Sequence, residues 1–321
     1  MKTNNLKKKP TPSEMLSYRT DKLAPSLIRE ISEQAYIIPD IIPLWFGEGC
    51  WPTSEIAIQA VNQALAENDH FYQPNNGKLK LRAEICDYYE KVYNLQIDLS
   101  NITVTASGMN GLALVAQALI STGDPVVAIE PSWPNIAETF RISGAEISVI
   151  SLQTNNGRWA LDLDQFLSLI TSTTKAVLIN SPNNPTGWTM SAEDQKRVLE
   201  HCRKTNTWIV ADDVYSRLCY NGSYAPNFLQ ICEPNDLVIS VNSFSKAWSM
   251  TGWRLGWITA PKDLESVFAM LTEFNIAGPS GFIQAAGAKI LKEGEEEVQK
   301  LQDRLSAALN LTEKRLQKIP N

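Results

Sequence analysis

At 321 residues and 44% hydrophobic, the chain can bury one large core and a smaller companion, which excludes a disordered polypeptide. A net charge of −6 excludes broad nucleic-acid binding, which needs a basic surface. The cysteines, Cys50, Cys86, Cys202, Cys219 and Cys232, are odd in number and contain no Cys-x-x-Cys pair, so neither a disulfide framework nor a zinc site is implied.

In chain order, residues 1–10 are basic, with Lys7, Lys8 and Lys9 consecutive, but no apolar run follows. The segment reads as a solvated tail rather than a secretory signal, and no stretch approaches the length of a membrane span. A soluble cytoplasmic protein is the expectation. Pro25 and Ser26 open a predicted helix over 27–35, after which Pro39 and Pro43 break the chain before Leu44-Trp-Phe-Gly-Glu-Gly49. Apolar residues at helical spacing predict helices over 54–67 and 79–92, separated by the turn-forming Asn75-Asn-Gly77. From 102 onward strand and helix alternate: strand 102–106, helix 108–119, strand 125–130, strand 175–180, a helix opening at Ser191 with Asp194 in capping position, strand 207–212 and strand 237–242. Short apolar strands alternating with helices predict an α/β fold of three layers, a mostly parallel sheet covered on both faces. In such sheets ligands sit outside the carboxyl ends of the strands, and the candidate residues all follow strand ends.

The chain is organised around 242–257, Asn-Ser-Phe-Ser-Lys-Ala-Trp-Ser-Met-Thr-Gly-Trp-Arg-Leu-Gly-Trp. Lys246 has no charged neighbour until Arg254, unlike a lysine on a solvated face. Desolvation and a nearby cation both disfavour its ammonium form, so it can act as an amine nucleophile towards an aldehyde. After strand 102–106, Ser107-Gly-Met-Asn-Gly111 puts small residues where a helix begins, so backbone N–H groups can point at a phosphate. Taken alone, that stretch is also an ordinary strand-to-helix turn. Glu130-Pro-Ser-Trp-Pro-Asn135 offers Trp133 as a flat stacking surface. Strand 175–180 runs into Ser181-Pro-Asn-Asn-Pro-Thr-Gly187, and strand 207–211 into Asp212-Asp-Val-Tyr215. His70 and His201 have no comparable context and read as surface residues.

The Ser243-Phe-Ser-Lys-x-x-Ser-x-x-Gly-x-Arg-Leu-Gly256 pattern resembles the pyridoxal-phosphate attachment signature of the class I/II aminotransferases, fold-type I enzymes of the aspartate aminotransferase kind. From about Leu44 to Gln284 the family's motifs occur in the family's order, including Asn-Pro-Thr-Gly at Asn184 and the Asp-Glu-x-Tyr string, here with Asp213 in place of Glu. The resemblance implies pyridoxal 5'-phosphate as cofactor and three catalytic residues. Lys246 holds the cofactor as a Schiff base and carries protons, Asp212 keeps the pyridine nitrogen protonated, and Tyr215 reaches the phenolic oxygen. It also implies cofactor contacts from Ser107, Gly108, Met109, Trp133, Asn184, Ser243, Ser245 and Arg254, the last as a phosphate clamp. Gly47, with Trp133 and Asn184, would approach the substrate. Tyr72 would reach the phosphate site of a neighbouring subunit, which implies a homodimer. The implied domains are an arm and small-domain segment over 1–50, a large cofactor domain over 51–284, and a connecting helix with the start of an incomplete small domain over 285–321.

The implied reaction moves an amino group between an α-amino acid and a 2-oxo acid; the same parts also serve lyases of this fold. Full-length relatives continue past Asn321 with a segment carrying the arginine for the substrate's α-carboxylate. The expectation is therefore a truncated member, with transaminase activity in doubt if the chain natively ends there. The alternative is a non-catalytic cofactor-binding protein. A helical stripe of Val298, Leu301, Leu305, Leu309 and Leu316 should pack on something.

Overall fold

Continuous apolar runs become the strands of one sheet in the computed structural model, which describes residues 11–319 apart from 22, 24 and 221; the lysine-rich tail lies outside the described residues. The strands are β1 (Ile102–Thr105), β2 (Pro125–Glu130), β3 (Glu146–Ser151), β4 (Gln153–Asn155), β5 (Arg158–Ala160), β6 (Ala176–Asn180), β7 (Trp208–Asp212), β8 (Val238–Ser243) and β9 (Gly256–Thr259). Among the described residues, seven of them form a sheet in the order β1-β9-β8-β7-β6-β2-β3, and β4 and β5 form a separate hairpin. All pairings from β3 through β2, β6 and β7 to β8 are parallel; β9 runs antiparallel to both of its neighbours.

The helices are α1 (Tyr18–Asp21), α2 (Leu27–Glu33), α3 (Glu55–Ala66), α4 (Leu79–Tyr93), α5 (Gly108–Leu119), α6 (Pro134–Ser143), α7 (Leu163–Leu169), α8 (Ala192–Thr205), α9 (Glu265–Ile276), α10 (Gly281–Glu293) and α11 (Glu295–Leu316). Every residue of β6 and β8 is buried, which is why β6 reads as an apolar run rather than an alternating one and why β8 carries polar residues only where they are hydrogen-bonded, as Ser240 is to Asp213. One face contributes Val177, Ile179, Ile209 and Ala211 to a core shared with α4, α8 and α10. The other contributes Leu178, Val210, Ile239 and Ile258 to a second core with α5, α6 and α9. The predicted three-layer α/β sheet is the observed fold.

Helix α5 and strand β2 occupy their predicted bounds, while β1 stops at Thr105 because the Ala106 N–H leaves the ladder to donate to Asn110 Oδ1. Helix α2 ends at Glu33 and tightens into a 3₁₀ turn over Gln34–Tyr36. Strand β3 was not predicted, being largely exposed; nor was β9, four residues long inside the lysine signature. His201 is half-buried rather than on the surface, its Nε2 2.8 Å from the Ile170 carbonyl. In the predicted stripe, Val298 and Leu301 are buried and Leu305 and Leu309 half-buried, whereas Leu316 is exposed.

Helix α11 grips the loop that follows β7. Buried Arg217 pairs with Glu295, at 3.2 Å for one of its two bonds, and lies over the Tyr88 ring. Two turns along, Gln302 Nε2 donates to the carbonyls of Arg217 and Ser223.

At the carboxyl end of the parallel strands, β8, β9 and the start of α5 meet backbone to backbone. A Cβ on Gly256 would lie 2.6 Å from the Asn242 carbonyl and 2.7 Å from the Gly108 nitrogen. Neither neighbour is a flexible side-chain tip, so Gly256→Ala is expected to cost about 1–3 kcal/mol through overpacking. Gly252→Ala, with nothing within 4 Å of the added carbon, should stay within about 0.5 kcal/mol of wild type. Denaturant titration of both variants checks the pair; equal stability would mean that the close approach is absent in solution.

Candidate active site

The end of β1 and the start of α5 build one wall of a cavity of about 890 Å³. Ser107 caps the helix, its hydroxyl accepting from the Asn110 N–H at 2.9 Å, and Thr105 Oγ1 donates to the Ser107 carbonyl. Gly108 and Met109 line the cavity; Ser107, 6% exposed, stands behind them. Ser243 and Ser245, linked hydroxyl to hydroxyl at 2.9 Å, line it from the end of β8. Beside them Arg254 has φ +58°, a left-handed conformation that bulky residues rarely take, and its Nη1 donates to the Thr251 carbonyl. A helix N-terminus, two hydroxyls and a guanidinium form an anion site.

Lys246 follows directly. Its Nζ donates to the Gly47 carbonyl at 2.6 Å and lies 5.6 Å from the centre of the Tyr215 ring. Burial lowers its pKa and the Arg254 charge works in the same direction, against Glu48 and Asp212. A Cβ on Gly47 would lie 3.0 Å from the Tyr215 hydroxyl, which would have to shift by a few tenths of an ångström. The strap around Gly47 is tied down by Glu48, which accepts from Thr251 Oγ1. Across the strap lies a second cavity of about 710 Å³, lined by Trp51, Tyr224 and Leu301, into which Lys246 and Tyr215 also face.

Asp212, 4% exposed, ends β7. Burial pushes its carboxyl up to about 6, opposed by the Val214 N–H and the Lys246 charge. Burial, with the Asp212 charge, raises the Tyr215 hydroxyl to about 12, the Asn184 side chain acting the other way. Asn180, which sequence reasoning missed, fastens the two turns: its Nδ2 donates to the Asp212 carbonyl at 3.1 Å and its Oδ1 accepts from the Asn184 N–H at 2.8 Å. The only signal for it was its place at the end of an apolar strand. Trp133, half-buried, and Asn184 also line the cavity.

Of the residues singled out from sequence, the structure thus brings Gly47, Gly108, Met109, Trp133, Asn184, Asp212, Tyr215, Ser243, Ser245, Lys246 and Arg254 to one cavity. Tyr72 is outside it, 90% exposed, next to Phe71 at 72%. The far wall, from Pro25, Ser26, Ile28, Arg29, Glu30 and Glu33 around α2, was not foreseen.

The class I and II aminotransferase family model matches residues 39–320. The chain belongs to that family. It is 31% identical over 297 residues to an aspartate aminotransferase of Pyrococcus horikoshii, covering 92% of this chain and 75% of that protein. A probable aspartate aminotransferase of Methanocaldococcus jannaschii is 36% identical over 251 residues, 78% of this chain and 64% of the relative. Among solved structures, Thermus thermophilus aspartate aminotransferase with maleate superposes with a TM-score of 0.83 at 26% identity, over 91% of this chain and 76% of that one. A Pyrococcus protein superposes with a TM-score of 0.88 at 26% identity, over 94% and 79%.

Members of this family are pyridoxal-phosphate-dependent aminotransferases, and so is this one. The donor set fits the cofactor. An amine with a lowered pKa, a buried carboxylate, an indole and an anion site face one space, and Gly108 adds no side chain to its wall.

Behind Asp212, Asp213 is 3% exposed and does not line the cavity. Its carboxylate accepts from Ser240 Oγ and from Asn227 Nδ2, the latter at 3.1 Å, and burial pushes it up to about 7. Asp212 and Asp213 therefore hold protons in the folded chain that the unfolded chain has already released. Their stabilising contribution is complete below about pH 4 and is lost as pH rises through about 6 to 7. The unfolding free energy of cofactor-free protein is expected to fall between about pH 5 and pH 8, and less steeply in Asp213→Asn, which is neutral throughout. Urea titrations at the two pH values check this; an equal fall in both proteins would exclude Asp213 as the titrating group.

Proposed function

We propose that the cavity beneath Gly47 is where the amino group is exchanged, that the residues lining it have the roles given below, and that the protein works as a homodimer. The observation that carries this reading is Lys246 Nζ, shifted towards its free-amine form and 2.6 Å from the Gly47 carbonyl, in a cavity shared with buried Asp212. Pyridoxal phosphate, when bound, supplies an electrophilic aldehyde and a ring that draws electrons from the substrate's Cα. Lys246 Nζ binds that aldehyde in the resting protein and moves a proton at substrate Cα during exchange. Asp212 holds a proton at the pyridine nitrogen; its unfavourable burial is relieved by that cationic partner. Trp133 orients the ring by stacking, and Asn184 and Tyr215 orient it through its phenolic oxygen. The N-terminus of α5, Ser243, Ser245 and Arg254 bind the phosphate.

The relatives' names point to aspartate as an amino donor, with a 2-oxo acid as acceptor. The dimer reading is supported by the exposed aromatic patch of Phe71, Tyr72 and Phe274, whose two segments are joined by a 3.1 Å hydrogen bond from Asn75 to Glu273.

Purified protein with added cofactor is expected to show a visible absorbance band that changes on adding aspartate or glutamate, with turnover requiring a 2-oxo acid. Lys246→Ala should lose the band and reduce turnover by at least about a thousandfold, as removal of a covalent anchor and proton carrier demands. Turnover without any 2-oxo acid would overturn transamination in favour of elimination. Sedimentation should give twice the chain mass, and Tyr72→Ala should weaken cofactor binding without changing that mass; a monomer with full cofactor affinity would refute the shared site.

A further inference from the structure

Tyr215 stands in an irregular turn between β7 and β8, so no helix or strand ladder fixes it. The next residue, Ser216, does not line the cavity; it is buried, and its hydroxyl accepts from the Tyr93 hydroxyl on α4 at 3.1 Å. Tyr93 in turn lies 3.4 Å, oxygen to oxygen, from Tyr88 on the same helix. Since the Tyr93 proton goes to Ser216, Tyr88 is the donor in that pair. Three hydroxyls, on residues at most 5% exposed, are thus strung through the core behind the site. Burial raises both phenols, so each keeps its proton. Packing alone does not ask for them: phenylalanine would fill the same space and leave no buried hydroxyl to satisfy.

We propose that Tyr93, acting through Ser216, is a positioning residue that fixes where the Tyr215 hydroxyl stands in the cavity. The role given to Tyr215 above, orienting the cofactor through its phenolic oxygen, is the reading on which this inference rests. Ser216 is held on its other side as well, its carbonyl accepting from the Ala225 N–H at 2.8 Å, and the neighbouring Tyr224 ring packs on Tyr93 with 4.6 Å between centres. A tyrosine hydroxyl stands far from its own backbone, so a small rotation of the turn becomes a larger displacement of the hydroxyl, and hydrogen bonds weaken steeply with misalignment. The same helix also reaches the lysine turn. The Tyr88 ring meets Trp248, two residues after Lys246, edge to face at 5.7 Å, and carries the Arg217 guanidinium 5.8 Å from its centre. Helix α4 therefore sets the tyrosine turn and the lysine turn against one common reference.

The test is a pH titration of the visible band of the cofactor-loaded full chain in wild type, Tyr215→Phe, Tyr93→Phe and Ser216→Ala, with each of the last two also combined with Tyr215→Phe. A phenol donating to the cofactor's phenolic oxygen favours the ionised form of that oxygen, so losing the donor raises the pH at which the band changes. Tyr215→Phe is expected to raise this midpoint by about one pH unit, the worth of a hydrogen bond to a charged group. Tyr93→Phe and Ser216→Ala should each raise it by at least about 0.3 unit and add nothing in the Tyr215→Phe background. Asp212, Lys246 and Asn184, which also act on Tyr215, are the same in every variant. Urea titration of the cofactor-free proteins reports general loss of stability, and either single variant suffices if the other does not fold. A wild-type midpoint in both Tyr93→Phe and Ser216→Ala, or a shift that persists in the Tyr215→Phe background, would overturn the proposal. A wild-type midpoint in Tyr215→Phe itself would instead bring down the role given to Tyr215, and this assignment with it.

Discussion

The candidate site depends on three stretches of backbone meeting with no side chain between them. The first turn of α5, the end of β8 and the start of β9 touch through Gly108, Asn242 and Gly256. Because they touch, the N–H groups of a helix start, the hydroxyls of Ser243 and Ser245 and the guanidinium of Arg254 converge on one small volume. The same contact sets the height of the turn that carries Lys246. A cofactor held at its phosphate and reacting at its aldehyde needs both ends located by one rigid body, which in the proposed roles would be this junction.

Burial explains the chemistry at the other end. Asp212 and Lys246 sit in the same low-dielectric space, and burial moves each towards its neutral form. A neutral amine attacks an aldehyde and an ammonium does not, and in the proposed role Asp212 would regain its charge beside a cationic ring nitrogen. Asn180 binds the turns after β6 and β7 together through two hydrogen bonds, so Asn184 and Asp212 are held in register. Asp213, on the opposite side of the strand end, crosslinks β7 to β8 through Ser240. The strand carrying the acid is therefore tied to β6 on one side and to the strand carrying the lysine on the other.

Much of this was legible in the sequence because it rests on local patterns. A buried parallel strand is an unbroken apolar run, and a functional turn is the small, polar or proline-framed string that follows it; β2, β6 and β7 and the residues behind them obey both rules, while β8 carries Ser240 in mid-run. What could not be read depends on contacts between distant segments. Strand β9 is four residues inside a signature and is a strand only because β1 and β8 flank it. Asn180 looks like any strand terminus until the turn after β7 packs against it. Helix α2 carries no motif, and its place over the cavity comes from tertiary packing. Ser107 shows the converse, a residue in the right string whose hydroxyl caps its helix rather than facing the cavity.

The grip of α11 on the loop behind Tyr215 has a bearing on how the chain acquires its site. Gln302 reaches back 85 residues to the Arg217 carbonyl and Glu295 reaches 78 to its guanidinium. The strands and their turns can pair during synthesis as soon as β9 has emerged, but the segment holding Tyr215 lacks its clamps until α11 has followed. A nascent chain is thus expected to hold the Tyr215 turn first through Ser216, which bonds to Tyr93 on α4, and to gain the clamps on Arg217 only when α11 docks.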